Sequence, residues 1–125
     1  MKRVVIADDS ATARMFVQRC LEIAGLTDAE FVQAANGREA LDCMKSSRPD
    51  LLVTDLTMPD MDGMELLTRV AASPTLNGTP ILVISSQTNP KVEEELKALG
   101  ARAILRKPVN PGAVAEALEK TLEDV

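Results

Sequence analysis

The chain has 125 residues, of which 46% are hydrophobic and 26% are charged, and its formal net charge is −5. This length suits one domain with one buried core, and the apolar fraction excludes wholesale disorder. The negative charge argues against direct nucleic-acid binding, and the absence of histidine excludes Ser-His-Asp and Cys-His nucleophile systems as well as a Cys/His zinc cluster.

The first half of the chain alternates short apolar runs with helical periodicity. The runs that predict strands here are residues 4–7, 30–34 and 51–54. Helix one follows the first strand and stops at Gly25. Its predicted inward stripe is Ala13, Phe16, Val17, Cys20, Leu21 and Ala24. Helix two begins at the capping pair Asn36 and Glu39, ahead of the buried positions Ala40, Leu41 and Met44.

The second half continues the alternation. Helix three has the predicted buried positions Met64, Leu67, Val70 and Ala71, and strands follow at residues 81–84 and 103–106. Asn89-Pro90 and Asn110-Pro111 each place a capping residue before a proline at the first helical position. The stripe of helix four, which ends at Gly100, is Val92, Leu96 and Leu99; that of helix five is Val114, Ala117, Leu118 and Leu122.

Five apolar strands alternating with five helices predict an α/β protein with a doubly wound parallel sheet that helices cover on both faces. We expect a single domain over residues 1–125, with no linker or attached output domain. No signal-peptide core and no apolar stretch of membrane-spanning length is present, so a cytoplasmic protein without membrane contact is expected. Cys20 and Cys43 occupy apolar helical positions and are expected to be reduced packing residues.

Charged side chains follow three of the predicted strands at the point where each strand ends. Asp8 and Asp9 follow the first strand, Asp55 the third and Lys107 the fifth. Each acid alone could serve a local role, and Asp8-Asp9 could cap helix one. Ligands in parallel sheets bind beyond the carboxyl ends of the strands, so together these residues predict a magnesium-dependent phosphoryl site there.

The order of these motifs resembles the receiver domain of two-component response regulators over the whole chain. The motifs are Asp8-Asp9, Asp55-x-x-Met58-Pro59-x-x-x-Gly63, Ser85 and Lys107-Pro108. With no second domain in view, the chain looks most like the stand-alone, CheY-like class. The resemblance implies a flavodoxin-like receiver fold with strand order 2-1-3-4-5 and a cis peptide bond before Pro108.

The resemblance also implies roles for individual residues. Asp55 would accept a phosphoryl group from a phosphohistidine on a sensor histidine kinase or phosphotransfer protein. The implied Mg2+ ligands are Asp9, Asp55, the backbone carbonyl of Thr57 and, through water, Asp8. Lys107 would pair with Asp55 and then with a phosphoryl oxygen. Ser85, which strand alternation and family spacing favour over Ser86, would donate its hydroxyl to that group.

The chain departs from the family pattern at two positions where an aromatic residue is common. Ile104 stands three residues before the lysine, and Val109 follows Lys107-Pro108. The usual coupling between the strand-four hydroxyl and the aromatic ring is therefore not expected here. On helix one, Ala11, Arg14, Met15 and Gln18 are predicted to face outward. Met15 is a candidate contact for a kinase or phosphotransfer helix.

Three functions follow from these residues. The first is a phosphoacceptor switch, not an enzyme, that signals through an unidentified target protein; chemotaxis is one compatible pathway. The second is a Mg2+-dependent phosphatase with an aspartyl nucleophile, although the chain lacks room for a substrate-enclosing cap. The third is a binding module that keeps the fold and ignores phosphate, which the intact acid–lysine set disfavours.

Overall fold

Five strands form one parallel sheet in the order β2-β1-β3-β4-β5. The structure, a computed structural model, describes residues 2–123. The strands are β1 (Arg3–Ala7), β2 (Glu30–Ala34), β3 (Leu51–Thr54), β4 (Ile81–Ser85) and β5 (Ala101–Arg106). The helices are α1 (Ala11–Ile23), α2 (Gly37–Ser46), α3 (Gly63–Ala72), α4 (Pro90–Ala98) and α5 (Pro111–Glu123). The predicted doubly wound α/β fold and the implied strand order are both confirmed.

The sheet separates two layers of core. Alternate residues of β4 show the division, because Ile81 and Val83 pack on one face while Leu82 and Ile84 pack on the other. The first layer contains the apolar stripes of α2, α3 and α4, and the second contains those of α1 and α5. The central strands β3 and β4 are buried along their whole length, as expected for strands covered on both sides.

Polar caps fix where each helix begins. The side chains of Ser10, Asn36, Asp62 and Asn89 accept backbone hydrogen bonds at the starts of α1 to α4. Asn110 does the same for α5, where its Oδ1 accepts from the Ala113 N–H at 2.8 Å. These bonds satisfy amide groups that have no partner inside the helix. The caps predicted at Asn36, Asn89 and Asn110 are confirmed.

Two details of the predicted core and one strand boundary were wrong. Phe16, expected inside, is 47% exposed, because α1 packs through Val17, Cys20 and Leu21. In α3 the buried side chains are Leu66, Leu67 and Val70, so Leu66 was missed, and Ala71, expected inside, is exposed. Strand β5 begins at Ala101, two residues before the predicted start.

Cys20 and Cys43 are both free thiols. Cys20 is buried in the layer beneath α1 and α5, and Cys43 packs against the opposite layer, so the sheet lies between them. Burial raises the pKa of the Cys20 thiol. Across residues 2–123, none of the helices combines the length and apolarity that a membrane span requires.

Candidate functional site

Strand register brings the charged residues to one edge of the sheet. Ala7 pairs with Thr54 in the β1–β3 ladder, so Asp8 and Asp55 are the next residues on neighbouring strands. Ser85 pairs with Arg106 in the β4–β5 ladder. The Lys107 N–H donates to the Ser85 carbonyl at 3.0 Å, which places Lys107 at the same edge. The predicted convergence of these residues is present.

The Lys107 ammonium bridges two buried carboxylates. Its Nζ lies 2.9 Å from Asp8 Oδ2 and 3.1 Å from Asp55 Oδ2. Asp8 is 5% exposed and Asp55 is 9% exposed, so these ion pairs are poorly screened by solvent. Burial of Lys107 lowers its pKa, but the hydrogen bonds and charges of Asp8 and Asp55 outweigh that effect and the net pKa is raised. Lys107 is therefore cationic at neutral pH.

Asp9 completes a cluster of three acids. Carboxylate oxygens of Asp8, Asp9 and Asp55 all lie within 4.8 Å of one another. Asp8 Oδ1 accepts from the Ser10 N–H at 2.9 Å, and Asp55 Oδ1 accepts from the Leu56 N–H at 2.6 Å. Three closely spaced oxygen donors are the ligand chemistry that Mg2+ prefers. The donor set thus fits a hard divalent cation.

The alternative that Asp8 and Asp9 simply cap α1 does not describe this geometry. The cap is Ser10, whose Oγ accepts from the Ala13 N–H at 3.2 Å. Asp8 is instead turned toward Lys107, and Asp9 is exposed beside it.

The two serines after β4 occupy different environments. Ser85 is fully buried at the strand end, and its Oγ accepts from the Gln87 N–H at 3.0 Å. Ser86 is exposed and lines a pocket of about 480 Å3 on the α1 side of the sheet. Thr57 is exposed in the loop after β3, and its side chain makes no hydrogen bond within residues 2–123.

The backbone around the site is closely packed. A Cβ atom on Gly63, the first residue of α3, would lie 2.2 Å from the Asp55 carbonyl oxygen, so this position requires glycine. Met58 and Met61, on the loop between Asp55 and Gly63, are buried packing residues. The Lys107–Pro108 peptide bond is cis, as the resemblance implied.

The two positions where an aliphatic residue replaces the aromatic residue common in the family, Ile104 and Val109, both line surface pockets. Val109 and Pro108 line the 480 Å3 pocket together with Phe16 of α1. Ile104 lies on a groove of about 290 Å3 between α4 and α5. Met15, predicted to face outward, is 66% exposed, and Phe16 and Ile23 of α1 are exposed as well.

Arg14 belongs to the site although the sequence pattern placed it on the outward face of helix one. The residue is half-buried, and its Nη1 donates to the backbone carbonyl of Asp8. The sequence feature that could have indicated this contact is the position of Arg14 in the first turn of the helix that follows Asp8 and Asp9.

Comparison with known proteins agrees with this geometry. The family model of the response regulator receiver domain matches residues 4–119. The chemotaxis protein CheY of Thermotoga maritima is 36% identical over 119 residues, which cover 95% of this chain and 96% of that protein. The solved structure of the chemotaxis response regulator CheY4 of Vibrio cholerae is 37% identical, covers 98% of this chain and 99% of its own, and superposes with a TM-score of 0.86.

Other relatives are much longer than this chain. The sensory/regulatory protein RpfC of Xanthomonas campestris is 38% identical across 98% of the chain, yet the matched region is 16% of RpfC. The chain thus corresponds to one region within such proteins. Given the family match over residues 4–119 and the superposition on CheY4, the chain belongs to the response regulator receiver domain family and has the CheY-like form of its fold.

Proposed function

We propose that this receiver domain is a phosphoacceptor switch in which Asp55 takes a phosphoryl group from a phosphohistidine. The donor would be a sensor histidine kinase or a phosphotransfer protein. The observation that supports this most is the Lys107 ammonium, which bridges Asp8 and Asp55 beside a cluster of three carboxylates. Asp55 sits at the carboxyl end of a central strand, where parallel sheets bind their ligands.

The transfer asks the protein mainly for positioning and charge stabilisation. A carboxylate oxygen of Asp55 attacks phosphorus, the phosphorus–nitrogen bond of the donor breaks, and the histidine ring keeps the electron pair. Lys107, already directed at Asp55, offsets the charge on the phosphoryl oxygens. Because the Ser85 oxygen accepts from the Gln87 N–H, its own O–H stays available to donate to a phosphoryl oxygen.

The acid cluster would hold Mg2+ for this reaction. Its proposed ligands are Asp9, Asp55, the backbone carbonyl of Thr57 and, through water, Asp8. When bound, the ion neutralises negative charge shared by the carboxylates and the phosphoryl oxygens.

Signalling would proceed through protein contacts that differ between the phosphorylated and unphosphorylated forms. Receiver domains of this family act as signalling domains and are not enzymes in the usual sense. A chemotaxis pathway in the cytoplasm is the setting we propose. Its support is that the Thermotoga and Vibrio proteins, which match this chain along nearly their whole length, are chemotaxis proteins.

Intact-mass spectrometry tests the proposal directly. Incubation with Mg2+ and acetyl phosphate should add the mass of one phosphoryl group to the wild-type chain and none to Asp55→Asn. Asp42→Asn is the matched control, because Asp42 is exposed on α2 and away from the cluster.

Two results would contradict the proposal. Addition that persists in Asp55→Asn would place the acceptor elsewhere, and no addition to a folded wild-type chain would favour a phosphate-independent binding module. Multiple turnover of a small phosphate ester by the wild-type chain would instead indicate the phosphatase alternative.

A further inference from the structure

Every backbone and side-chain polar group of Asp8 has a hydrogen-bond partner. Its N–H donates to the Ala34 carbonyl at 3.1 Å. Its two carboxylate oxygens accept from the Ser10 N–H and from Lys107 Nζ, each at 2.9 Å. Its carbonyl oxygen accepts from Arg14 Nη1. The Arg14 bond is the one that fixes the plane of the peptide joining Asp8 to Asp9.

Arg14 is itself held through both its backbone and its guanidinium. Its backbone N–H donates to the Ser10 carbonyl at 3.0 Å within the first turn of α1. Its Nε donates to Gln33 Oε1 on the edge strand β2 at 3.1 Å. Gln33 in turn donates from Nε2 to Gln18 Oε1 of α1 at 3.0 Å. The planar, multiply bonded guanidinium therefore has a defined orientation toward the acid pair.

Asp9 differs from Asp8 in having no such restraint on its side chain. Within residues 2–123 its carboxylate makes no hydrogen bond or ion pair, and it is exposed, yet its oxygens lie within reach of those of Asp8 and Asp55. Its position consequently depends on the backbone that precedes it, which is the peptide bound by Arg14.

We propose that Arg14 is a positioning residue that holds the Asp8–Asp9 peptide so that the Asp9 carboxylate can bind a divalent cation together with Asp55. The inference rests on the proposed function only through the cation site. Arg14 acts through the peptide carbonyl and touches neither the cation nor the phosphoryl group. Its role is geometric, and its charge works against that role, because a nearby cation repels Mg2+.

The charge of Arg14 and its positioning of Asp9 should change Mg2+ affinity in opposite directions, so one substitution distinguishes them. If Arg14 acted through its charge alone, Arg14→Met would tighten Mg2+ binding. If Arg14 positions Asp9, the same substitution weakens binding, by roughly tenfold as is typical when an outer partner of a metal ligand is lost. Arg14→Lys keeps the charge but cannot donate in two fixed directions, so it should weaken binding as well.

The experiment is calorimetric titration of each folded chain of residues 1–125 with Mg2+ alone. Arg19→Met is the matched control. It removes an exposed arginine from the same helix, whose ion pair with Glu22 is a long contact of 3.9 Å. Because such surface pairs contribute little, the Mg2+ dissociation constant should stay within about twofold of the wild-type value. Circular dichroism melting without metal separates lost stability from lost affinity.

Each outcome bears on the proposal. Weakened binding in both Arg14 variants, with Arg19→Met unchanged, supports it even if the melting temperature is unaffected. Unchanged or tighter binding in folded Arg14→Met overturns it. If Arg14→Met does not fold, Arg14→Lys decides alone. A wild-type chain that binds no Mg2+ contradicts the proposed cation site itself and removes the inference with it, whereas binding without an Arg14 effect contradicts only the inference.

Discussion

At the scale of single residues, the site is a balance of charge. Three carboxylates face one ammonium, so an excess of negative charge remains at the sheet edge. Like charges at this spacing repel, which favours binding of a cation beside them. Because Asp8 and Asp55 raise the pKa of Lys107, this side chain keeps its positive charge near neutral pH.

The adjacent serines provide a matched pair for testing the hydroxyl donor. Ser85→Ala should slow phosphorylation by acetyl phosphate by about tenfold, which corresponds to losing one hydrogen bond to a charged group. Ser86→Ala should stay within about twofold, because Ser86 is exposed and faces the α1 pocket. The measurement is the rate of phosphoryl addition by intact mass, and a larger effect from Ser86→Ala would reverse the assignment.

The sequence predicted some of these residues better than others. Asp8, Asp55 and Lys107 were predictable because each directly follows a strand, and parallel strands bring such positions to one edge. Asp9 and Thr57 lie two and three residues beyond strand ends, where loop geometry decides their direction. Arg14 was misplaced because helical periodicity describes packing and says nothing of a bond to a loop carbonyl.

At the scale of elements, α3 is fitted against the end of β3. Its first residue, Gly63, donates from its N–H to the Leu56 carbonyl at 2.9 Å. The missing side chain lets the helix start approach Asp55 and Leu56, since a Cβ atom there would lie 2.8 Å from Leu56 Cα. The position of the proposed acceptor thus depends on a helix that follows it in the chain.

Gly63→Ala should destabilise the chain by about 3 kcal/mol and also slow phosphorylation, because the added methyl group displaces the Asp55 backbone. Gly112→Ala in α5 is the control. Its Cβ would meet only the Asn110 side chain at 3.3 Å, so its effect should stay within about 1 kcal/mol. Denaturant unfolding measures both. A fully stable, active Gly63→Ala chain would show that α3 can shift without disturbing Asp55.

Element types and order were predictable, while several inward-facing positions were not. Strands β2 and β3 match their predicted residues because apolar runs between turn residues define them. Phe16 fits the helical stripe of α1 but lines the open pocket beside Val109 and stays partly exposed. In α3, the small Ala71 gave a weak signal, and tertiary packing selected Leu66 instead.

At the scale of the whole molecule, folding and cation binding should be linked. The acid cluster forms only when β1 and β3 are paired, so the unfolded chain has no comparable site. A ligand that binds only the folded state stabilises it by about 2.7 kcal/mol at a concentration of 100 dissociation constants. For a chain of this length that corresponds to a rise of about 10 °C in the melting temperature.

Lys107 neutralises the carboxylates that the proposed divalent cation would also neutralise, so removing one should increase the effect of the other. Lys107→Met leaves Asp8 and Asp55 without a cationic partner, and without metal it should melt well below the wild-type chain. Saturating Mg2+ should then raise its melting temperature by more than the wild-type increase, because a repelling charge has been removed.

Lys91→Met, which alters an exposed lysine on α4, should melt like the wild type in both conditions. Thermal unfolding of the three chains in EDTA and in Mg2+ gives the comparison. If Mg2+ raises the melting temperature of wild type and Lys107→Met by the same amount, the lysine and the cation act on the carboxylates independently. The acid–lysine cluster would then not be a single electrostatic unit.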